Sequence, residues 1–194
     1  MRDIMNTYPN SSLKRVLDLV LSVAVSPFAL ILVFLSCAAV YLTDGGPVIY
    51  KQLRVGLGGK PFTMYKIRTL KRTASDDFSG MRASDPDLLK VGTFLRLWRI
   101  DELPQILNIL KGDMSWVGPR PERPHIVDQC ILDISNYTMR HEVLPGITGL
   151  AQIKNPNATP SENPEKLQYD LEYSRRASLG LDLKILWKTL VAIG

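Results

Sequence analysis

Cysteine and histidine are both scarce in this sequence. The 194 residues include only Cys37, Cys130, His125 and His141 of these two types. The cysteines are far apart, so the sequence indicates neither a disulfide framework nor a metal-binding cysteine pair, and a reducing, cytoplasmic setting is the default expectation. Neither histidine has zinc-type spacing or the G-x-S-x-G context of a serine hydrolase, so we interpret both as structural or surface residues.

A phosphate-binding glycine loop of the Walker type is also missing. The turn GLGGK at residues 56–60 has the wrong spacing and precedes a strand instead of a helix. The chain is nevertheless basic, with a formal net charge of +5 and a pI near 9.2. This balance favours an anionic partner: nucleic acid, an anionic membrane surface or a phosphorylated substrate. No recognised basic-aromatic motif or repeat supports nucleic acid, so we expect no nucleic-acid partner.

One long apolar run stands near the N-terminus. Residues 19–42 carry no charged side chain, and a membrane-crossing helix needs about 20 apolar residues. Ser26-Pro27 lies near the middle, where proline favours a kink and the serine hydroxyl can bond the freed backbone. Cationic flanks on both sides, beginning with Lys14 and Lys51, favour a re-entrant helix that enters and leaves one leaflet, although a kinked spanning helix is the alternative.

The remaining chain predicts a mainly helical α+β fold. Residues 48–52 and 62–69 alternate as two strands around the glycine turn, which predicts a short antiparallel hairpin. Helical spacing is predicted for residues 88–98, 104–110, 125–144, 164–176 and 179–190, with a short strand at 150–153 and a surface loop, a candidate lid, at 71–87. The last helix suits a membrane interface or a core. We therefore expect a membrane-associated segment, 1–43, and a catalytic domain, 44–194.

Two adjacent carboxylates, Asp101 and Glu102, precede the predicted helix 104–110. A helix N-terminus attracts phosphate, and nearby Arg96 and Arg99 together with a divalent ion would offset the repulsion between phosphate and carboxylate. One carboxylate would then be free to attack phosphorus. The alternative is an ordinary acidic helix start.

Cations elsewhere suit the same ligand. Arg120 lies between two prolines that restrict its backbone, which favours rigid, bidentate phosphate binding. Lys66 and Arg68 share one face of the second predicted strand, where they suit either a phosphate site or a solvated surface.

Several separated motifs together closely resemble the bacterial sugar transferases, the monotopic phosphoglycosyl transferases that initiate glycoconjugate assembly. These motifs are the apolar Ser26-Pro27 segment, YKIRT at 65–69, DELPQ at 101–105, KGDMS at 111–115, VGPRP at 117–121, PGITG at 145–149 and LDLKI at 181–185. The resemblance covers nearly all of the chain from about Lys14. It implies transfer of a sugar-1-phosphate from a UDP-sugar to a polyprenyl phosphate, undecaprenyl phosphate in bacteria, with release of UMP.

The resemblance also implies a site. Asp101 would be the nucleophile that forms a phosphosugar-aspartyl intermediate, and Glu102 would help to hold Mg²⁺. The diphosphate or lipid phosphate would be neutralised by four cations: Lys66, Arg68, Arg96 and Arg120. The segment broken at Ser26-Pro27 would be re-entrant in the cytoplasmic leaflet of the bacterial inner membrane, with the catalytic domain facing the cytoplasm.

One stretch departs from the family pattern. Many relatives carry Asn-Gly-Arg-Asn where this chain has KNPN at 154–157, without arginine, and Arg99 stands where small residues are frequent. The competing interpretation is a catalytically silent, membrane-anchored scaffold that binds nucleotide-sugar or polyprenyl phosphate. The intact Asp101, Glu102 and Arg120 argue against it. The sequence leaves open both the identity of the sugar and a homodimer.

Overall fold

The computed structural model describes residues 7–74, 87–156 and 163–193. The helices are α1 Ser12–Asp44, α2 Lys90–Leu97, α3 Ile106–Lys111, α4 Pro124–Asp133, α5 Leu150–Lys154, α6 Asn163–Arg176 and α7 Leu179–Ile193. The strands are β1 Ile49–Val55, β2 Pro61–Ile67, β3 Ser115–Val117 and β4 Gly146–Thr148. Short 3₁₀ helices include Ile100–Gln105 and Tyr137–Glu142. The fold is mainly helical with a short antiparallel hairpin, which confirms that part of the prediction.

Helix α1 is long and apolar enough to cross a membrane by length and composition. Ser11 caps its start by accepting a hydrogen bond from the Lys14 N–H, and Gly45 follows its end with φ +68°. The helix continues through Pro27, so the expected break does not appear in the secondary structure. The Ser26 hydroxyl donates to the Ser22 carbonyl at 2.6 Å. This hydrogen bond follows the predicted pattern of serine bonding back to the preceding turn.

One face of α1 lies against the rest of the chain from end to end. Its buried residues recur at helical spacing, and they are Lys14, Asp18, Ser22, Ala29, Ser36 and Val40. Near the N-terminal end, the Trp116 indole donates to Ser22 at 3.0 Å. Near the C-terminal end, Val40 packs with Ile67 and Leu95. Because the same folded unit covers both ends, α1 is an integral part of the domain and not a separate anchor.

The N-terminal end of α1 is fastened by buried charge. Lys14 Nζ lies 2.9 Å from Asp182 Oδ2 and 3.6 Å from Asp18 Oδ1. Tyr8 and Tyr173 donate to the Asp182 carboxylate at 3.0 and 2.8 Å. We call these five residues the Asp182 cluster. Lys14, which flanks the apolar segment, is buried, and its ammonium group pairs with a carboxylate of the same domain.

The hairpin pairs β1 with β2 from Ile49 opposite Ile67 to Val55 opposite Pro61. Asn108 of α3 fixes this hairpin to the following helix. Its side chain accepts from the Tyr65 N–H at 3.2 Å and donates to the Thr63 carbonyl at 2.7 Å. These bonds bring α3, and the residues just before it, against the strand.

A parallel pair, β3 with β4, supports the loop that follows β3. Gly118 and Gly146 make this approach feasible because the backbones almost touch. A Cβ on Gly118 would clash with the Leu144 carbonyl oxygen, and a Cβ on Gly146 would clash with the Gly118 nitrogen. The glycines of the VGPRP and PGITG motifs are therefore required by close backbone contact.

Three local predictions need correction. The predicted helix 125–144 is α4 followed by a 3₁₀ helix, because the chain turns at Asn136 with φ +63°. Residues 150–153, predicted as a strand, form α5, while the strand β4 precedes them. Residues 104 and 105 belong to a 3₁₀ helix, and α3 begins at Ile106. Most of the predicted loop 71–87 lies outside the described residues, so no structural account of a lid follows.

Candidate active site

The acidic pair lies inside the 3₁₀ helix Ile100–Gln105, directly after Arg99. Arg99 adopts the left-handed conformation with φ +53°, which turns the chain between α2 and the pair. Asp101 and Glu102 are only 8% and 5% exposed. Two adjacent carboxylates at this depth require cationic partners, because an unpaired buried charge is costly.

Glu102 has those partners on one oxygen. Its Oε1 accepts from Lys66 Nζ at 2.9 Å and from Arg120 Nη2 at 2.7 Å. Its buried Oε2 receives no hydrogen bond, although Arg99 Nη1 lies 3.6 Å away. The structure therefore brings Lys66, Arg120 and the acidic pair together, as the sequence predicted. We call Asp101, Glu102, Lys66 and Arg120 the Glu102 cluster.

Asp101 is treated differently by its surroundings. None of the residues that the structure describes donates a hydrogen bond to its carboxylate, and the charges of the nearby cations Lys66, Arg96 and Arg120 act on it. Burial, reinforced by the charge of Glu102, raises the pKa of Asp101 to about 6. A carboxylate with this pKa is largely ionised near neutral pH and more basic than an ordinary aspartate.

Glu102 shifts the other way. Burial opposes its ionisation, but Arg120 and Lys66 more than offset burial and hold the pKa of Glu102 well below its usual range. Burial also lowers the pKa of Lys66, which Glu102 partly counteracts. Adjacent carboxylates with diverging pKa values are the usual basis for a division of labour in catalysis. Glu102 is therefore the carboxylate that stays charged, and Asp101 is the more basic one.

The other two predicted cations are positioned differently. Arg96 of α2 donates from Nε to the Thr69 hydroxyl at 2.9 Å, and its charge reaches Asp101. Arg68 lies past the end of β2 and does not join the Glu102 cluster. It pairs with Asp44 at the end of α1 and donates to the Pro47 and Gly45 carbonyls at 2.7 and 2.6 Å. This position gives Arg68 a structural role.

The residues present fit a magnesium ion. Mg²⁺ in phosphate-handling sites is held by one or two carboxylates together with phosphate oxygens and water. The unbonded, buried Glu102 Oε2 beside the Asp101 carboxylate is such a donor set. The described residues contain no group of three or more acidic, histidine or cysteine side chains that could form a metal cage of protein ligands alone. The fit is therefore to an ion shared with a phosphorylated ligand.

Sequence reasoning missed the support beneath Arg120. Arg140 is 6% exposed and Asp170 is 2% exposed, and the two form a buried ion pair at 2.8 Å. Asp170 lies on α6 among charged residues, but its partner Arg140 lies 30 residues earlier in the sequence. No local signal marks such a pair.

Shape alone would have pointed elsewhere. An open groove of about 770 Å³ runs beside the hairpin turn and α4, and its walls include Leu57 and Ile131. Neither Asp101 nor Glu102 lines this groove. The charge arrangement, and not this groove, identifies the candidate site.

Comparisons with known proteins agree with this geometry. A model of the bacterial sugar transferase family matches residues 9–194. EpsL, an uncharacterised sugar transferase of Bacillus subtilis, is 43% identical over 178 residues, covering 92% of this chain and 85% of the relative. The UDP-glucose:undecaprenyl-phosphate glucose-1-phosphate transferase of Escherichia coli is 41% identical over 187 residues, covering 93% of this chain and 40% of the relative.

A third relative names a different sugar. The UDP-N-acetylgalactosamine-undecaprenyl-phosphate N-acetylgalactosaminephosphotransferase of Aeromonas hydrophila is 39% identical over 184 residues, covering 93% of this chain and 43% of the relative. The chain thus spans most of EpsL but less than half of the Escherichia coli and Aeromonas relatives.

A buried carboxylate pair faced by cations, on a domain with a long apolar helix, is an arrangement typical of enzymes that handle phosphorylated ligands at a membrane. More particularly, the chain belongs to the bacterial sugar transferase family.

Proposed function

We propose that this protein transfers a sugar-1-phosphate from a UDP-sugar to undecaprenyl phosphate and releases UMP, the first membrane step of a glycoconjugate pathway. The named activities of the Escherichia coli and Aeromonas relatives support this reaction class. The observation that carries the proposal is the asymmetric pair, in which Glu102 Oε1 accepts from two cations while the more basic Asp101 carboxylate accepts no hydrogen bond from the described residues.

In the first half-reaction, an Asp101 carboxylate oxygen attacks the β-phosphorus of the UDP-sugar. A bond forms between that oxygen and phosphorus, and the bond from phosphorus to the bridging oxygen breaks. UMP leaves with that electron pair, and the sugar phosphate remains on Asp101 as an acyl phosphate. Lys66, Arg96 and Arg120 lie where their charges would stabilise the phosphoryl oxygens and the departing UMP.

In the second half-reaction, a phosphate oxygen of undecaprenyl phosphate attacks the same phosphorus. The bond to Asp101 breaks, the carboxylate is regenerated, and undecaprenyl diphosphate-sugar is the product. Dividing the reaction lets a water-soluble donor and a lipid acceptor use one set of cations in turn. Mg²⁺, held by Glu102 with Asp101 beside it, would supply further positive charge against the diphosphate oxygens.

The proposed topology is monotopic, with residues 1–43 in the cytoplasmic leaflet of the inner membrane and residues 44–194 in the cytoplasm. The support is that one domain grips both ends of α1. Lys14 pairs with Asp182 at one end, and Asp44 pairs with Arg68 at the other. A straight helix of 33 residues is about 50 Å long, so a spanning α1 would separate its ends by more than the thickness of a bilayer. A re-entrant α1 keeps both contacts on one side.

Exposed apolar side chains extend the proposed membrane surface beyond α1. Several lie on α1 itself, including Phe34 at 73% exposure and Leu42 at 84%. Others lie on or beside α2 and on α7: Phe94, Leu97, Trp98, Leu183, Trp187 and Leu190. Their exposure supports the expectation that these two helices lie at the membrane interface. Apolar exposure on this scale is typical of a membrane-binding surface.

The reaction is tested by measuring UMP release. Purified protein in detergent is given Mg²⁺, undecaprenyl phosphate and a panel of UDP-sugars, beside a matched sample of Asp101→Asn. Release that needs the lipid phosphate and disappears in the variant is the expected result, and the productive donor names the sugar. If every donor fails while the protein still binds undecaprenyl phosphate, the scaffold interpretation replaces this one.

The topology has its own test. Single cysteines near the N-terminus, in a background lacking Cys37 and Cys130, are labelled in intact and in permeabilised cells. Protection in intact cells is expected for the natural segment, because Lys14 near one end of α1 and Asp44 at the other are both paired with the folded domain. Labelling of the natural segment in intact cells contradicts the monotopic proposal.

A further inference from the structure

The loop that carries Arg120 is held by donors from elsewhere in the chain. Prolines at positions 119 and 121 have no N–H, so this loop cannot build a regular hydrogen-bond ladder of its own. Its carbonyls are bonded all the same. The Pro119 carbonyl accepts from Gly146 N at 2.9 Å, and the Glu122 carbonyl accepts from Val55 N at 3.0 Å.

Side chains bond the two carbonyls between them. The Pro121 carbonyl accepts from Arg54 Nη1 at 2.9 Å. The Arg120 carbonyl accepts from Arg140 Nη2 at 2.8 Å. Four consecutive carbonyls therefore have four donors from three distant segments: β1, the 3₁₀ helix Tyr137–Glu142 and β4. The bond at Arg120 is the most direct, because its carbonyl carbon is attached to the Cα that carries the guanidinium side chain.

Arg140 is itself fixed on several sides. Its Nη2 also lies 2.8 Å from Asp170 Oδ2, and its Nη1 donates to the Tyr137 hydroxyl at 2.6 Å. The guanidinium stacks over the Tyr137 ring at 5.1 Å from the centroid. Burial acts against the charge of Arg140, but Asp170, Tyr137 and Glu122 together more than offset burial and raise the pKa of Arg140, so its guanidinium stays protonated. A planar guanidinium can contact all three acceptors at once, and a lysine ammonium at this position cannot match that geometry.

A buried ion pair is weak evidence for stability, since well-packed apolar residues often do as well or better. The Arg140–Asp170 pair matters here because Arg140 also donates to the carbonyl of Arg120. Arg120 Nη2 bonds Glu102 Oε1 at 2.7 Å, although the loop that carries Arg120 has almost no hydrogen bonds within its own backbone. Misplacing a positioned group by about 1 Å can cost about 10²-fold in rate.

We propose that Arg140, oriented by Asp170, is a positioning residue that sets the backbone of Arg120 and so aims its guanidinium at Glu102 and the substrate phosphate. The inference rests on the proposed function for its catalytic readout only. Arg140 touches no reacting atom and works through Arg120.

The test is a double-mutant cycle. Arg140→Lys and Arg120→Lys are compared singly and together in the UMP-release assay, with kcat and KM for the donor measured separately. Arg140→Lys should lower kcat/KM by about 10- to 100-fold. In the Arg120→Lys background, Arg140→Lys should lower kcat/KM by less than about threefold, because the guanidinium that Arg140 positions has already been removed. Multiplicative effects would overturn the proposal.

Asp170→Asn provides a second approach if Arg140→Lys folds poorly, and it should reproduce the same non-additivity. Arg176→Lys is the matched control, because Arg176 forms an exposed pair with Glu172 on the same helix as Asp170. It should leave kcat/KM unchanged. An equal loss in this control would mean that the assay reports general perturbation of α6 and would overturn the assignment.

Hydrogen exchange separates this inference from the proposed function. Arg140→Lys should speed exchange at the amides of 118–123 while α7 keeps its protection. If the wild type releases no UMP but this local loosening occurs, the reaction is wrong and the positioning contact stands. If the wild type is active and exchange at 118–123 is unchanged, the positioning inference fails while the function stands.

Discussion

The Glu102 cluster and the Asp182 cluster are both buried and charged, but their charges are balanced in opposite ways. In the Asp182 cluster two carboxylates share one ammonium, from Lys14, and the deficit is met by neutral donors. Ser115 donates to Asp18 at 3.0 Å, while the Tyr8 and Tyr173 hydroxyls donate to Asp182. Around the Glu102 cluster, Arg96 and Arg99 add their charges to those of Lys66 and Arg120, so four cations face two carboxylates, and none of the described residues donates a hydrogen bond to the Asp101 carboxylate.

This difference indicates that the Asp182 cluster is structural, since it fixes α1 to the domain, and that the Glu102 cluster is a binding site. Both oxygens of Asp182 are bonded by tyrosine hydroxyls and Oδ2 also pairs with Lys14, whereas the buried Oδ2 of Asp18 accepts no hydrogen bond from the described residues. An excess of cations beside an unbonded carboxylate is complete only when an anion arrives, which is why we assign phosphate chemistry to the Glu102 cluster. Changes in the first cluster should therefore affect stability, and changes in the second should affect activity.

The largest expected effect on activity is that of Asp101→Asn. We expect loss of turnover by about 10³-fold or more, because the attacking oxygen is replaced by an amide.

The same substitution should make the folded state more stable. A carboxyl pKa raised to about 6 means that Asp101 costs stability as pH rises from about 4 through 6. Thermal unfolding at pH 7.5 should show the variant more stable by about 1–3 kcal/mol, a difference that vanishes below about pH 4. Retained activity would remove Asp101 from the mechanism.

The next largest effect tests the Asp182 cluster. Asp182→Ala leaves Lys14 buried without its nearest carboxylate, so we expect a loss of about 3–5 kcal/mol in unfolding free energy. Protease susceptibility and thermal unfolding in detergent measure this loss. Asp133→Ala, at an exposed position of α4, is the control and should change stability by less than about 0.5 kcal/mol. Similar unfolding free energies for Asp182→Ala and Asp133→Ala would show that the Asp182 cluster does not stabilise the fold.

Some elements of the fold could be predicted from the sequence, and others could not. The hairpin and the helices α2, α6 and α7 follow local periodicity and were predicted within a few residues. The parallel pairing of β3 with β4 was not, because each strand has three residues and its partner lies about 30 positions away. The 3₁₀ helix at the acidic pair escaped prediction because Arg99 adopts a left-handed conformation that arginine seldom takes.

The site was likewise predictable only in part. Asp101, Glu102, Lys66 and Arg120 were named from motif chemistry, and the structure brings them together. Arg68 was grouped with Lys66 by strand alternation, but β2 ends at Ile67, so the alternation no longer sets its direction. Arg140 and Asp170 depend on tertiary contact alone, and no residue beside either of them in the sequence reveals the pairing.

A moderate effect is expected for pH. The rate of the first half-reaction, measured as kcat/KM for the donor, should fall about tenfold per pH unit below about pH 6, as Asp101 becomes protonated. Glu102→Gln should move this acidic limb to lower pH, because the charge of Glu102 raises the pKa of Asp101. The same variant should need more Mg²⁺ for half-maximal UMP release. An unmoved limb would mean that another group controls it.

The smallest effect on activity is expected for Arg68→Lys. Because Arg68 bonds the end of α1 and not the Glu102 cluster, kcat/KM should stay within about threefold of wild type, while lost carbonyl contacts lower stability by about 2 kcal/mol. Arg120→Lys measured alongside supplies the contrast. Steady-state kinetics and thermal unfolding decide, and equal catalytic losses in both variants would return Arg68 to the substrate-phosphate site.

The most direct test of the central claim is to trap the intermediate. Protein is incubated with its UDP-sugar and Mg²⁺ without lipid acceptor, and UMP is quantified in the first turnover. Our account predicts a burst of about one UMP per active site and a sugar-phosphate adduct on the tryptic peptide 100–111, located by fragmentation at Asp101. Borohydride should reduce that acyl phosphate to homoserine at the same position. UMP that appears only after undecaprenyl phosphate is added, with an unmodified 100–111 peptide, would contradict a covalent aspartyl intermediate and leave direct transfer in its place.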